Sequence, residues 1–279
     1  MKILVIGDFH GTLPNRFLNL IKKEHVELVI SLGDYLPFHY RKIWFKHCYG
    51  KDVELWEVIG KKKYKQIIIK DLKYGEVVLK KLNDLGIPIY TVLGNIDYPL
   101  VDDVADFPKK KNDSMPGEVK DFLRVLNKYK NIKRFDYSYL RFKDYIFIGM
   151  RGHSSQGDPS SKNYKKSKEK LSKLFKRFRK QNRDNKVIFV SHNVPYNTKL
   201  DKIGKKAHKL VRGRHAGSKL TRAIIQKYKP VLALGGHIHE NVGKVKLGNT
   251  IVINPGSAHE NKAVILDLES NKYKIRFVK

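Results

Sequence analysis

Cysteine is nearly absent. Cys48 is the only one in 279 residues, so no intrachain disulfide can form and a reducing, cytoplasmic setting is expected. A long apolar run is also missing. A membrane-spanning helix needs about 18 or more consecutive apolar residues, and none occurs, so no membrane partner is expected. The N-terminal apolar stretch Ile3–Ile6 ends at Gly7-Asp8 and reads as a first strand rather than a signal core. Acid is scarce relative to base: 27 Asp and Glu face 58 Lys and Arg, a formal net charge of +31. Such a field favours a polyanion, and nucleic acid is the most abundant one. A lineage-wide lysine bias produces the same composition without a binding role.

What is present is a βα alternation. Strands are expected at 2–6, 27–31, 89–93, 132–136, 138–143, 145–149, 187–191 and 231–235, with a tail of short strands near 242–247, 250–254, 262–268 and 272–278. Helices are expected at 13–24, 70–85, near 117–128, 162–183 and 217–228. In the first, Leu13, Phe17, Leu20 and Ile21 fall at helical spacing, with Pro14 in its first turn. In the fourth, Leu171, Leu174, Phe175 and Phe178 do the same. Residues 35–66 are aromatic and basic and read as two short helices packed on the body, with a lid over the substrate side as the other option. Lys143-Asp144 reads as a hairpin turn. No internal repeat or linker is visible.

Five short motifs punctuate this pattern: Asp8-Phe9-His10, Gly33-Asp34, Gly94-Asn95-Ile96-Asp97, Ser191-His192 and Gly235-Gly236-His237-Ile238-His239. Most follow a β-branched apolar run, as buried strands of an α/β sheet do, and such folds keep their chemistry in loops at the C-terminal strand ends. In an extended strand end, residues i and i+2 face the same way, which pairs Asp8 with His10 and His237 with His239. Two Asp, one Asn and four His form an oxygen-and-nitrogen set without thiolate, suited to hard or borderline divalent cations. Seven ligands suffice for two metal ions, and one carboxylate such as Asp34 can bridge a pair.

The order Asp-x-His, Gly-Asp, Gly-Asn-x-Asp, His, Gly-His-x-His resembles the calcineurin-like metallophosphoesterase superfamily, from residue 2 to about residue 257. Within it, Ser191-His192-Asn193-Val194-Pro195-Tyr196-Asn197-Thr198-Lys199-Leu200-Asp201, Arg214-His215-Ala216-Gly217-Ser218 and Asn254-Pro255-Gly256-Ser257 look like the archaeal predicted phosphoesterases related to the bacterial cyclic-nucleotide phosphodiesterase Icc. The resemblance implies an α/β fold, a four-layer αββα sandwich of two mixed β-sheets flanked by helices. It also implies one domain over residues 1–279, with 35–66 and 98–128 as candidate insertions. Asp8, His10, Asp34 and His239 would hold one metal, and Asp34, Asn95, His192 and His237 the other. Mn²⁺, Fe²⁺/Fe³⁺, Ni²⁺ and Zn²⁺ all suit these ligands. A metal-bridging water or hydroxide would attack phosphorus in line.

Ile96 departs from the family pattern. Many members carry a histidine there, near the leaving group, and isoleucine neither donates a proton nor binds phosphate. Diesters with activated or nucleoside leaving groups are then favoured over alkyl monoesters. His153 is a candidate replacement general acid. His215 and Asn95 are candidate substrate contacts. Twelve Lys or Arg lie between Lys162 and Lys186, and eight between Asp201 and Arg222. The second cluster would flank the metal site, and the first reads as the solvated face of a helix. Three functions follow: a phosphodiesterase on nucleotides or small diesters, a nuclease using the basic surface, or a scaffold without catalysis.

Overall fold

A computed structural model describes residues 1–51, 53–97, 104–106, 118–205, 207–269 and 272–279. In chain order the elements begin with β1 (Lys2–Ile6), α1 (Asn15–Lys23), β2 (Leu28–Ser31), α2 (Arg41–His47), α3 (Leu55–Ile59), α4 (Lys61–Asn83), β3 (Ile89–Thr91), α5 (Glu118–Leu126) and β4 (Ile132–Arg134). They continue with β5 (Tyr139–Phe142), β6 (Tyr145–Met150), α6 (Lys162–Arg177), α7 (Arg179–Arg183), β7 (Val187–Asn193), α8 (Lys219–Tyr228) and β8 (Leu232–Gly236). The last are β9 (Gly243–Leu247), β10 (Thr250–Asn254), a 3₁₀ turn (Ala258–Glu260), β11 (Ala263–Glu269) and β12 (Lys272–Val278).

The strands form two six-stranded sheets, in the orders β12-β11-β1-β2-β3-β4 and β5-β6-β7-β8-β10-β9. Each is mixed: β1, β2, β3 and β4 pair parallel, as do β6, β7, β8 and β10, while the outer strands join antiparallel. Alternation within the strands builds the layers. Ile3 and Val5 of β1 join Ile188 and Val190 of β7 in a core between the sheets, whereas Leu4 and Ile6 face outward. That outward face packs on α1, α4 and α5 through Phe17, Ile21, Val78, Leu82, Phe122 and Leu126. The second sheet packs its outer face on α6 and α8 through Leu171, Phe175, Leu220 and Ile224. Three apolar interfaces thus separate four layers, the αββα sandwich expected.

Several element boundaries differ from expectation. The helix expected at 70–85 begins nine residues earlier, at Lys61. Its first turns are lysine-rich and carry the β-branched run Ile67–Ile69, which masks helical spacing until Asp71, Gly75, Val78, Leu79 and Leu82 mark the buried stripe. Residues 35–66 hold α2, α3 and the start of this helix, so the two short helices are present. The helix expected over 162–183 breaks at Phe178, whose backbone leaves the helical region (φ −102°, ψ 30°) while its ring is 2% exposed. Pro14 precedes α1 at its N-cap rather than lying inside it. β5 and β6 pair with Phe142 opposite Tyr145, leaving Lys143-Asp144 as the expected turn. Most of the candidate insertion 98–128, including its basic loop, lies outside the described residues.

Candidate metal centre

Five parallel strands end along one edge of the sandwich, and all seven expected ligands lie there. Asp8 and His10 follow β1, Asp34 follows β2, Asn95 follows β3, His192 is near the end of β7, and His237 and His239 follow β8. The backbone turns sharply at these points. Asp8, His10, Asp34 and His237 have φ of 54°, 46°, 56° and 72°, in the left-handed region that costs a non-glycine residue energy and recurs at functional sites. Gly33 has φ 86°, and a Cβ there would fall 2.1 Å from the backbone nitrogen of Gly94. The two loops therefore touch backbone to backbone, which only glycine permits.

The side chains converge as two clusters, Asp8 with His10 and His239, and Asp34 with His192 and His237; within each, the candidate ligand atoms lie within 4.8 Å of one another. In the first, His239 Nε2 is 3.1 Å from His10 Nε2 and 3.2 Å from Asp8 Oδ1. In the second, His192 Nε2 is 2.9 Å from Asn95 Oδ1, 3.3 Å from His237 Nδ1 and 3.6 Å from Asp34 Oδ2. His192 Nδ1 sits 2.7 Å from the Leu32 carbonyl, which accepts, so Nδ1 carries the proton of the neutral ring. Its Nε2 lone pair then faces two oxygens and another imidazole nitrogen. One ring proton cannot satisfy that many acceptors, whereas a cation can. The donor set fits divalent metal.

The electrostatics favour the metal-binding form at His10 and His237 and at Asp8, and the charged imidazole at His192 and His239. Burial alone raises the Asp8 carboxyl, but His239, His192 and His10 outweigh it and hold Asp8 well below the ordinary carboxylate range. Asp34 is raised, by burial first and with Asp8 adding to it, although His192 opposes. Burial and then the charge of His239 push His10 down to about 3, and burial with His192 holds His237 well below its usual value. Both are therefore neutral near pH 7, the form in which imidazole binds a metal. Burial lowers His192 and His239 as well, but Asp34 and Asp8 raise the first and Asp8 the second, so the net direction is upward.

A second set of residues holds the first in place. Asp97 is fully buried, and its carboxylate accepts from the backbone N–H groups of Asp34 (2.8 Å), Tyr35 (2.7 Å) and Gly94 (2.8 Å). Burial and then the charge of Asp34 raise it to about 7. The Ile96 N–H donates to Asp34 Oδ1 at 3.0 Å, so this position serves the site through its backbone. Ser257 Oγ donates to the Asp8 carbonyl (2.7 Å), and Asn254 Nδ2 donates to the Ile238 carbonyl (2.8 Å). Sequence reasoning gave Asp97 no role. Its signal was a short acid two residues after Asn95, in a loop whose N–H groups lack strand partners.

Of the other candidates, His153 is 1% exposed; Nδ1 meets the Ser155 carbonyl at 2.5 Å and Nε2 meets Ser218 Oγ at 2.9 Å. Expected as a proton donor to the leaving group, this ring is instead closed off from solvent and braces Ser218, the N-cap of α8. His215 is part-exposed, and its Nδ1 lies 2.8 Å from Asp201 Oδ1, a carboxylate that sequence reasoning left without a role. The basic loop around it reaches the aromatic segment after β2, where His208 stacks on Phe45 at 4.7 Å.

Two sheets contributing acids and imidazoles to paired clusters at one edge define a metal-dependent phosphoesterase architecture. The chain belongs to the calcineurin-like phosphoesterase family, whose model matches residues 1–241. A protein of Methanocaldococcus jannaschii is 26% identical over 260 residues, covering 91% of this chain and 88% of its own. Among solved structures, a dimetal phosphatase from Danio rerio is 10% identical with a TM-score of 0.61, covering 100% of this chain and 96% of its own. The protein TT1561 of Thermus thermophilus is 16% identical with a TM-score of 0.56, covering 99% and 97%. These structures share the fold. The family implies two divalent ions and a phosphoester substrate, and the two clusters are candidate ligand groups. No helix among the described residues is long and apolar enough to cross a membrane.

Proposed function

We propose that this protein is a dinuclear-metal phosphodiesterase acting on nucleotides or small phosphodiesters. In this reading Asp8, His10, Asp34 and His239 hold one cation, and Asp34, Asn95, His192 and His237 hold the other, with Asp34 shared. The observation that carries it is the convergence of His192 Nε2 on Asn95 Oδ1, His237 Nδ1 and Asp34 Oδ2 within 3.6 Å, beside the matching cluster of Asp8, His10 and His239. When bound, the cations make water a nucleophile near neutral pH and offset the charge that develops on the phosphoryl oxygens. The protein supplies placement. Asp97 fixes the Asp34 loop, the Leu32 carbonyl fixes the His192 ring, and Ser257 fixes the Asp8 loop. A diester carries one charge at neutral pH and needs a proton on its departing oxygen unless that oxygen belongs to an activated phenol.

The test is hydrolysis of bis-p-nitrophenyl phosphate with Mn²⁺ by the wild type, Asp8→Asn and His239→Gln. The wild type should turn over, stop on chelation and recover with added Mn²⁺. Each variant should lose at least about 100-fold, as losing a ligand or its orienting partner does. Equal rates in all three would overturn the proposal. The basic loop around His215, which meets the basic helix α2 where His208 stacks on Phe45, supports a second substrate class, single-stranded nucleic acid. Cleavage with affinity falling steeply between about 50 and 200 mM salt would select it.

A further inference from the structure

Resting on the phosphodiesterase reading, we infer that His215, oriented by Asp201, is the general acid that protonates the departing alcohol. Asp201 is fully buried, and its carboxylate is fastened from three sides by the N–H groups of Asn197 (2.9 Å), Thr198 (2.7 Å) and Gly217 (3.1 Å). Its Oδ1 accepts from His215 Nδ1 at 2.8 Å. This bond leaves Nε2 as the outward nitrogen of a side chain that is 32% exposed, and Nε2 makes no hydrogen bond to a described residue. A buried acid holding one imidazole nitrogen while the other faces the reaction is how proton-transferring histidines are fixed in tautomer and orientation.

The loop ties this dyad to the elements that carry the metal centre. β7 carries His192 and runs on through Val194 to Tyr196, and the returning segment 215–218 pairs with it: Ser218 N–H donates to the Val194 carbonyl (2.8 Å) and Tyr196 N–H to the Ser218 carbonyl (3.0 Å). Lys202 bridges His215. On its other side the loop is tied to the residues after His239, with Gly204 N–H donating to Glu240 Oε1 at 2.8 Å and Asn241 Nδ2 to the Lys202 carbonyl at 2.5 Å. His215 therefore lies between the strand of His192 and the loop of His239. The other groups at this edge are spent or inert. Ile96 has no proton to give, His153 is buried with both nitrogens engaged, and His10, His192, His237 and His239 belong to the clusters. His259, whose backbone N–H reaches the Asp8 carbonyl at 3.4 Å, lacks among the described residues a buried carboxylate of the kind that fixes His215.

The step balances as follows. The water oxygen bonds to phosphorus, and the bond from phosphorus to the leaving oxygen breaks with its electron pair staying on that oxygen. The doubly protonated imidazole passes its Nε2 proton to that oxygen and becomes neutral. The surplus proton of the water goes to solvent, from which the ring is recharged. Asp201 is a positioning residue that carries no proton through the cycle. The leaving group it serves is an unactivated alcohol such as a nucleoside hydroxyl.

The experiment compares wild type, His215→Gln and Asp201→Asn, with Mn²⁺, on bis-p-nitrophenyl phosphate and on a thymidine dinucleotide. Nitrophenolate leaves without a proton, and a nucleoside hydroxyl does not. His215→Gln should lose about 100-fold or more in kcat on the dinucleotide and under about threefold on the nitrophenyl diester. Asp201→Asn should show the same split. Equal losses on both substrates would make His215 a phosphate contact, and no loss on either would leave it idle; each overturns the inference, as would a wild type that cleaves only the nitrophenyl diester. In metal-free protein, the Nδ1 proton of His215 should give a downfield NMR resonance that Asp201→Asn removes. Its absence from the wild type would also sink the dyad. A wild type inert on the nitrophenyl diester defeats the phosphodiesterase reading instead, and the NMR result still stands on its own.

Discussion

Close approach limits what single residues near the centre can become. A Cβ on Gly94 would lie 1.9 Å from Asp34 Oδ1 and 2.3 Å from the Asp34 backbone nitrogen. Backbone cannot step aside as a flexible side chain can, so Gly94→Ala should displace the Asp34 carboxylate. The expected result is metal affinity weakened about 10- to 100-fold by calorimetric titration, with the far-UV circular dichroism unchanged. The side chains that could bind metal were legible because Asp, Asn and His in short glycine-flanked motifs carry their chemistry in their names. Asp97 and Asp201 were not. Each accepts N–H groups from its own loop, Thr198 for Asp201 and Gly94 for Asp97, and others from a segment brought in by packing, and that second half has no spacing rule. His153 shows the reverse case, a reactive residue type in a suitable position whose nitrogens are both used internally.

Among elements, legibility followed burial. β1, β2, β7 and β8 are apolar on both faces and stand where their runs of Val, Ile and Leu place them. Elements with one face in water were harder to bound. The lysine-rich start of α4 hides its first turns, and the stripe that suggested one helix over 162–183 continues through a break, because Phe178 is buried from a non-helical backbone. Phe178 meets the Tyr139 ring edge-on at 4.5 Å, tying the α6–α7 corner to β5. Phe178→Ala should cost about 3–5 kcal/mol, the range for a buried aromatic truncated to alanine, read as a fall in urea midpoint. A loss of under about 1 kcal/mol would show that the corner collapses to fill the space.

At the scale of the whole molecule, each cluster draws on both sheets. Asp8 and His10 belong to the sheet containing β1 and His239 to the other; Asp34 and Asn95 belong to the first and His192 and His237 to the second. A cation in either cluster therefore fastens one sheet to the other. Because it binds the folded chain alone, metal at 100 times its dissociation constant should add about 2.7 kcal/mol of stability. Thermal unfolding with and without EDTA measures this, and in His192→Ala the difference should shrink markedly. Identical melting curves for the wild type in both conditions would mean that the sheets are not coupled through bound metal.

The pairing of β1 has a consequence for synthesis. β1 lies inside its sheet, parallel to β2 on one side and antiparallel to β11 on the other, with Lys2 opposite Asp267 and Val5 opposite Val264. β1 thus waits through the synthesis of more than 250 residues for its partner β11, and Asp8 gains its brace from Ser257 at nearly the same moment. A nascent chain stalled before residue 263 would carry an open, apolar strand edge, the kind of surface that chaperones cover and that other copies pair with.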